Sequence, residues 1–173
     1  MDMNLVPVVV DRDIEGERSY DIFSRLLKER IIFISGEIND TVANSVIAEL
    51  LYLDSLSHDD ISIYINSFGG SVYAGLSIYD TIKHLQNNNI EINTYAAGFC
   101  ASMAAVLLIS GTNRYSLPNS TIMFHSVSSN TNGKLNDMIV DVKETERLQN
   151  ILNKIILENF MMMLLYIHFW IMI

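Results

Sequence analysis

From Asp21 to Arg30 the apolar positions Ile22, Phe23, Leu26 and Leu27 recur at helical spacing with charges between them, which predicts a short helix. Ile31 to Ile34 is a continuous apolar run closed by Ser35-Gly36, the pattern of a buried strand ending in a turn. Asn39-Asp40-Thr41 can cap a second helix, whose positions Val42, Val46, Ile47, Leu50, Leu51 and Leu53 form one broad stripe. Ile61-Ser-Ile-Tyr-Ile-Asn alternates as a strand and leads into the turn Ser67-Phe68-Gly69-Gly70. A third helix is expected from about Tyr73 to Leu85, stopping at Asn87-Asn88-Asn89. The strand Ile90 to Ala96 then runs into Ala97-Gly98-Phe99-Cys100-Ala101-Ser102, followed by a helix of small and aliphatic residues to about Ile109. Thr112 to Ser116 reads as a turn, Thr121-Ile-Met-Phe as a strand delivering His125, Ser126 to Gly133 as a polar loop, and Leu135 to about Leu157 as a long charged helix. Strands alternating with helices of this length predict an α/β fold with a mainly parallel sheet.

A chain of 173 residues is expected to form one domain around one core. Its net charge of −9 opposes a phosphate backbone, so nucleic acid is not expected as a partner. The single cysteine, Cys100, can make no internal disulfide, and the N-terminus lacks the basic start and apolar run of a secretory signal, so a cytoplasmic location is expected. Residues 161–173 differ from everything before them: 12 of these 13 are apolar. The chain therefore divides at 1–159 and 160–173, and the second part is too short to span a bilayer, which takes about 20 apolar residues.

In an α/β fold, ligands gather where strands end and chains turn into helices with free amides. Two such turns are present. Gly69-Gly70 allows close approach of a substrate and a positive φ, although an isolated Gly-Gly is more often an ordinary turn. Ser102 sits among Ala96, Ala97, Gly98, Ala101, Ala104 and Ala105, and a serine at a helix start is most often a cap. The amides of Gly70 and Met103 give that serine a functional alternative, because together they can hold an oxyanion formed by its attack. Of the four histidines, His58 lies in a charged loop, His84 in a polar last helical turn and His168 in the apolar tail. His125 alone ends a strand, where it is either a satisfied core side chain or the general base for Ser102. Cys100 is a rival nucleophile, but an alanine-rich setting raises a thiol pKa. No metal-ligand spacing, phosphate loop, dinucleotide fingerprint or Gly-x-Ser-x-Gly elbow is present.

Several segments in unbroken order over about the first 155 residues resemble the proteolytic subunit of the Clp protease, the ClpP family. They include Gly16-Glu-Arg-Ser-Tyr-Asp-Ile-Phe, Tyr64-Ile-Asn-Ser-Phe-Gly-Gly, Ala74-Gly-Leu-Ser-Ile-Tyr-Asp, Ala101-Ser-Met-Ala and Leu117-Pro-Asn-Ser-Thr-Ile-Met-Phe-His. The resemblance implies a crotonase-like α/β spiral with a protruding helical handle, here Leu135 to about Leu157. It implies Ser102 as nucleophile, His125 as base, the Gly70 and Met103 amides as oxyanion hole, and substrate pairing along Gly69, Gly70, Ser71 and Val72 and at Ser126. It further implies two stacked seven-membered rings of this chain, fed with unfolded polypeptides by an AAA+ unfoldase that consumes the ATP. No cofactor or metal of its own is then expected. Specificity lies with the partner, and the chamber needs only a cleft in which an extended peptide adds as a strand.

Four features depart from the family pattern. Phe68 stands for a proline before the glycine pair, and His125-Ser-Val-Ser-Ser-Asn for His-Gln-Pro-x-Gly-Gly. Tyr64 of the unfoldase cleft is kept, whereas Ser62 and His84 stand where aromatics are common. The third triad member, an Asp some fifty residues after the histidine, is expected at or just past the end of this chain; the tail from about Met161 holds no carboxylate, and Asp137 and Asp141 fall on the handle away from the sheet end. Without an acid to orient His125, activity is expected to fall by about four orders of magnitude. The tail reads as a frameshift or truncation, with a membrane- or partner-binding segment and a natural short variant as rivals. A non-catalytic ring subunit and a crotonase-type acyl-CoA enzyme remain the alternative functions.

Overall fold

A computed structural model of the chain describes residues 6–13 and 16–163. Two short strands, β1 (Val8–Asp13) and β2 (Gly16–Asp21), pair as an antiparallel hairpin that the alternation of the sequence does not announce. Asp21 caps α1 (Ile22–Leu27) by accepting from the Ser24 amide. Then follow β3 (Ile31–Ile38), α2 (Asp40–Leu56), β4 (Ile61–Gly70), α3 (Val72–Asn87), β5 (Ile92–Ala101) and α4 (Met103–Ile109). The chain continues through β6 (Asn113–Ser116) and β7 (Thr121–Met123) to α5 (Leu135–Met163). The expected helix starts are set by local chemistry: Asn39 accepts from Val42 N at 3.0 Å, and Ser71 accepts from Ala74 N at 3.3 Å.

The five strands β3 to β7 form one parallel sheet in the order β3-β4-β5-β6, with β7 also paired to β5. β6 runs beside Asn93–Ala96 and β7 beside Phe99–Ala101, so the two share one edge of β5. Thr112 to Ser116 is therefore mostly strand and not turn. The polar run Asn113-Arg-Tyr-Ser carries no alternation because this short edge pairs through its backbone. β4 and β5 also run on to Gly70 and Ala101, through segments that read as turns.

Isoleucines 32, 34, 61, 63, 65 and 92 face α2 and α3 through Leu50, Leu53, Ile78, Ile82 and Leu85. All seven residues of α4 are buried, as expected of a helix without a polar face. α5 is longer than expected, about 43 Å at 1.5 Å per residue. Its N-terminal turns leave Leu135, Val140 and Val142 exposed, whereas further along Leu148, Leu152 and Ile155 are buried. It is the expected handle. The outer face of the sheet carries a ladder of five rings, Phe23–Phe33–Tyr64–Tyr95–Tyr115, with successive centroids 5.6, 5.5, 4.6 and 4.7 Å apart. No helix among the described residues is long and apolar enough to cross a membrane. The apolar segment beyond Met163 lies outside the described residues.

Candidate active site

The parallel register brings the ends of β3, β4, β5 and β7 to one rim. Ile38 pairs with Gly70, and Ala101 pairs with Met123, so that Ser102 and His125 leave adjacent strand ends. Ser102 N donates to Met123 O at 2.9 Å, tying the serine to the strand that delivers the histidine. Both residues line one small cavity of about 60 Å³, together with Gly70, Val72, Met103, Val106, Phe124 and Val127. Gln149, Leu152 and Ile156 of α5 close its far side. The sequence pattern does not single out these three as site residues. Spacings of three and four put them on one face of a helix, but nothing local says which face meets the sheet end.

Ser102 occupies the N-cap position of α4 with φ 56° and ψ −126°, a left-handed conformation unusual for a residue with a Cβ. Its carbonyl accepts from Ala105 N and Val106 N, but its hydroxyl makes no capping bond. The ordinary expectation for a serine at a helix start therefore does not describe Ser102. The sharp turn directs it at the cavity, and Met103 N follows as a first-turn amide that intrahelical bonding leaves unserved.

Gly69 and Gly70 have specific steric duties. A Cβ on Gly69, at φ +94°, would come within 2.7 Å of both Ala101 O and Ser102 Cβ and 3.0 Å of Met103 N. A Cβ on Gly70 would fall 2.2 Å from Ile38 O. Gly69 thus passes directly against the Ser102 turn, and its amide is taken by Ser67 Oγ at 3.0 Å. Gly70 and Val72 line the cavity, and Ser71, Val72 and Tyr73 continue into an adjoining hollow of about 430 Å³ with Val127 to Asn130 across it. Ser126 does not line the cavity; its carbonyl sits 2.7 Å from Nδ1 of His125.

Cys100 is buried and inert in this setting. Its thiol donates to Ile65 O at 3.2 Å, and burial pushes its pKa up to about 11. His58 is held at Asn88 O in a loop, His84 lies on the last turn of α3, and His168 falls outside the described residues. No carboxylate is among the described residues lining the cavity, and Asp141 instead accepts from Thr131 Oγ1 at 2.6 Å. Among the described residues no cluster of His, Cys, Asp or Glu could hold a metal ion.

Ser102, in a backbone conformation unusual for a residue with a Cβ, and His125 thus share one cavity at the ends of a parallel α/β sheet, where ligands of such folds gather. The family model for the Clp protease matches residues 14–167, and the chain belongs to that family, with its α/β fold.

Proposed function

We propose that this chain is a serine endopeptidase subunit of a compartmentalised, Clp-type ATP-dependent protease. Ser102 Oγ attacks the carbonyl carbon of the scissile peptide while its proton passes to Nε2 of His125. The electron pair displaced onto the carbonyl oxygen faces the Gly70 and Met103 amides. The imidazolium then protonates the leaving amine as the C–N bond breaks, leaving an acyl ester on Ser102. Water, deprotonated by the same imidazole, releases the carboxylate product and restores the hydroxyl. The observation that carries this reading is the positive φ of Ser102 with its hydroxyl unused in capping, at a cavity shared with His125. The walls formed by Val72, Met103, Val106, Leu152 and Ile156 suit an apolar side chain beside the scissile bond.

The remaining parts of the reading concern assembly. The chain works as a homo-oligomer of two stacked heptameric rings, in the cytoplasm, with no cofactor of its own. Unfolded polypeptide is supplied by an AAA+ unfoldase that spends the ATP. The aromatic ladder on the outer sheet face, exposed at Phe33 and Tyr115 and half-buried at Tyr64 and Tyr95, supports a docking role, since contiguous apolar surface marks interaction sites.

A fluorophosphonate probe tests the mechanism. Wild-type protein should be labelled covalently and hydrolyse a small fluorogenic peptide, while Ser102→Ala should do neither. Equal peptide hydrolysis by the two would favour a non-catalytic ring subunit. Absent labelling together with CoA binding would favour acyl-CoA chemistry on the same oxyanion amides.

A further inference from the structure

Three hydrogen bonds connect His125 to the handle helix. His125 Nδ1 lies 2.7 Å from Ser126 O, Val127 N donates to Gln149 Oε1 at 2.7 Å, and Gln149 Nε2 donates to Asn153 Oδ1 at 2.8 Å. A carbonyl has no proton to give, so Nδ1 carries the hydrogen in the first of these, and a neutral imidazole then presents its lone pair at Nε2. Ser126 C=O and Val127 N–H belong to one peptide unit, which is rigid and, like every other described peptide of the chain, trans. Its N–H and C=O point in opposite directions. Holding the N–H toward α5 therefore turns the C=O away from α5 and onto the ring. Donation by the N–H also polarises the carbonyl and makes it a better acceptor. Asn153, one turn further along the helix, takes the amide end of Gln149 and leaves Oε1 facing Val127.

We infer that Gln149 is a positioning residue for the base: acting through the Ser126–Val127 peptide, it holds the His125 ring with Nδ1 protonated and Nε2 available to Ser102. This rests on the proposed serine mechanism and deepens it, because a backbone carbonyl meets the same ring nitrogen that a carboxylate orients in a Ser-His-Asp triad. Residues 126–134 carry no helix or strand of their own, so the bond to Gln149 is what fixes the direction of that carbonyl. When the ring takes the serine proton, the Nδ1–H bond becomes charge-assisted and strengthens, as the reaction requires.

The test compares wild type, Gln149→Leu and Gln149→Glu by ¹⁵N NMR of the histidine rings, with His125 assigned from a His125→Ala sample, alongside peptide hydrolysis. Wild type should show His125 protonated at Nδ1 with a bare Nε2. Gln149→Leu should turn this into a mixture of tautomers and lower kcat about tenfold with KM little changed, as is typical when an outer orienting partner of a histidine is lost. Gln149→Glu keeps the acceptor oxygen and should restore both the ring signature and kcat. An Asn153→Ala variant, at an exposed position, provides a second reading with a smaller shift toward mixed tautomers. An unchanged ring signature in Gln149→Leu, or a Glu variant as impaired as the Leu variant, overturns the inference. Absence of hydrolysis in wild type with the tautomer shift intact would count against the proposed chemistry and leave the positioning role standing.

Discussion

Replacing Gly69 by alanine tests the geometry of the nucleophile turn. Two costs combine. A residue with a Cβ at φ +94° is strained by about 1–2 kcal/mol. The new methyl would also stand 2.7 Å from Ala101 O and from Ser102 Cβ, which belong to the turn itself and can give way only if the turn moves, an overpacking cost of about 1–3 kcal/mol. For a domain of this size each kcal/mol lowers the melting temperature by roughly 2–4 °C, so the combined cost of about 2–5 kcal/mol predicts a fall of roughly 4–20 °C. Gly36→Ala is the control: its φ is +73°, no atom lies within 4 Å of the added Cβ, and only the backbone strain of about 1 kcal/mol remains, a fall of roughly 2–4 °C. Both are read by thermal melting at one protein concentration, because oligomer stability depends on it. Fluorophosphonate labelling of Ser102 is followed in parallel. It should slow more than about tenfold in Gly69→Ala, where the oxyanion amide at Met103 is displaced, and stay unchanged in Gly36→Ala. Equal melting shifts in the two variants, with wild-type labelling in Gly69→Ala, would refute the argument that this glycine makes room for the turn.

Other parts of the molecule yield further expected outcomes. Ser102→Gly relieves a strained backbone and should raise the melting temperature by a few degrees while abolishing labelling; a lower melting temperature would mean that the turn is unstrained. Arg30 donates to Leu53 O, Ser57 Oγ, Ser57 O, Asp59 O and Asp60 O, tying the end of α2 to the start of β4, so Arg30→Ala should cost about 3 kcal/mol in denaturant titration and Arg30→Lys should recover only part of it. Cys100, with its thiol pKa raised to about 11 and no exposed surface, should resist a thiol reagent at pH 8 until the protein unfolds; stoichiometric reaction of the native protein would contradict its burial. The Arg147 guanidinium, with help from Tyr73 OH, lowers the Glu144 pKa from 4.5 to about 2. A lowered carboxylate pKa adds stability above pH 4.5 that is lost as the pH falls toward 2, so the stability difference between wild type and Tyr73→Phe should shrink across that window.

Features decided within a few residues could be read in the sequence. The cap at Asn39 and the apolar stripe of α2 depend on neighbours at most four positions away, and α3 falls within two residues of where the pattern puts it, whereas α5 runs on past its expected end. The placement of Ser102 and His125 at neighbouring strand ends was legible for a related reason: each follows a strand, and in a parallel sheet the strands all end on one side. The extensions of β4 and β5 were hidden because Ser67–Gly70 and Ala97–Ala101 have the composition of turns and become strand only through their partners' registers. The bond from Val127 N to Gln149 was hidden more deeply, since it depends on where a loop over twenty residues earlier lands on α5.

The positions of Ser102 and His125 follow from how those irregular strand ends are held. Ile65 of β4 pairs with Ala96 of β5, and Ser67 with Cys100, so the one residue Asn66 opposes the three residues Ala97–Phe99, which bulge out. A bulge leaves amides without ladder partners. Here Phe99 N donates to Asn66 Oδ1 at 3.1 Å and Gly98 N donates to Ser120 Oγ at 3.0 Å, while Ser120 Oγ donates to Ala96 O at 2.8 Å. Gly98 is needed as well: at φ +117° its absent Cβ would lie 2.7 Å from Asn66 Oδ1. With those bonds in place β5 returns to register against β7 for its last three residues, and Ser102 arrives beside the strand that carries His125. Asn66, Gly98 and Ser120 touch no reacting atom in the proposed mechanism, yet the alignment of the nucleophile with its base depends on them. A chain retaining Ser102 and His125 but losing these three side-chain and backbone fits would keep the chemistry and misplace it.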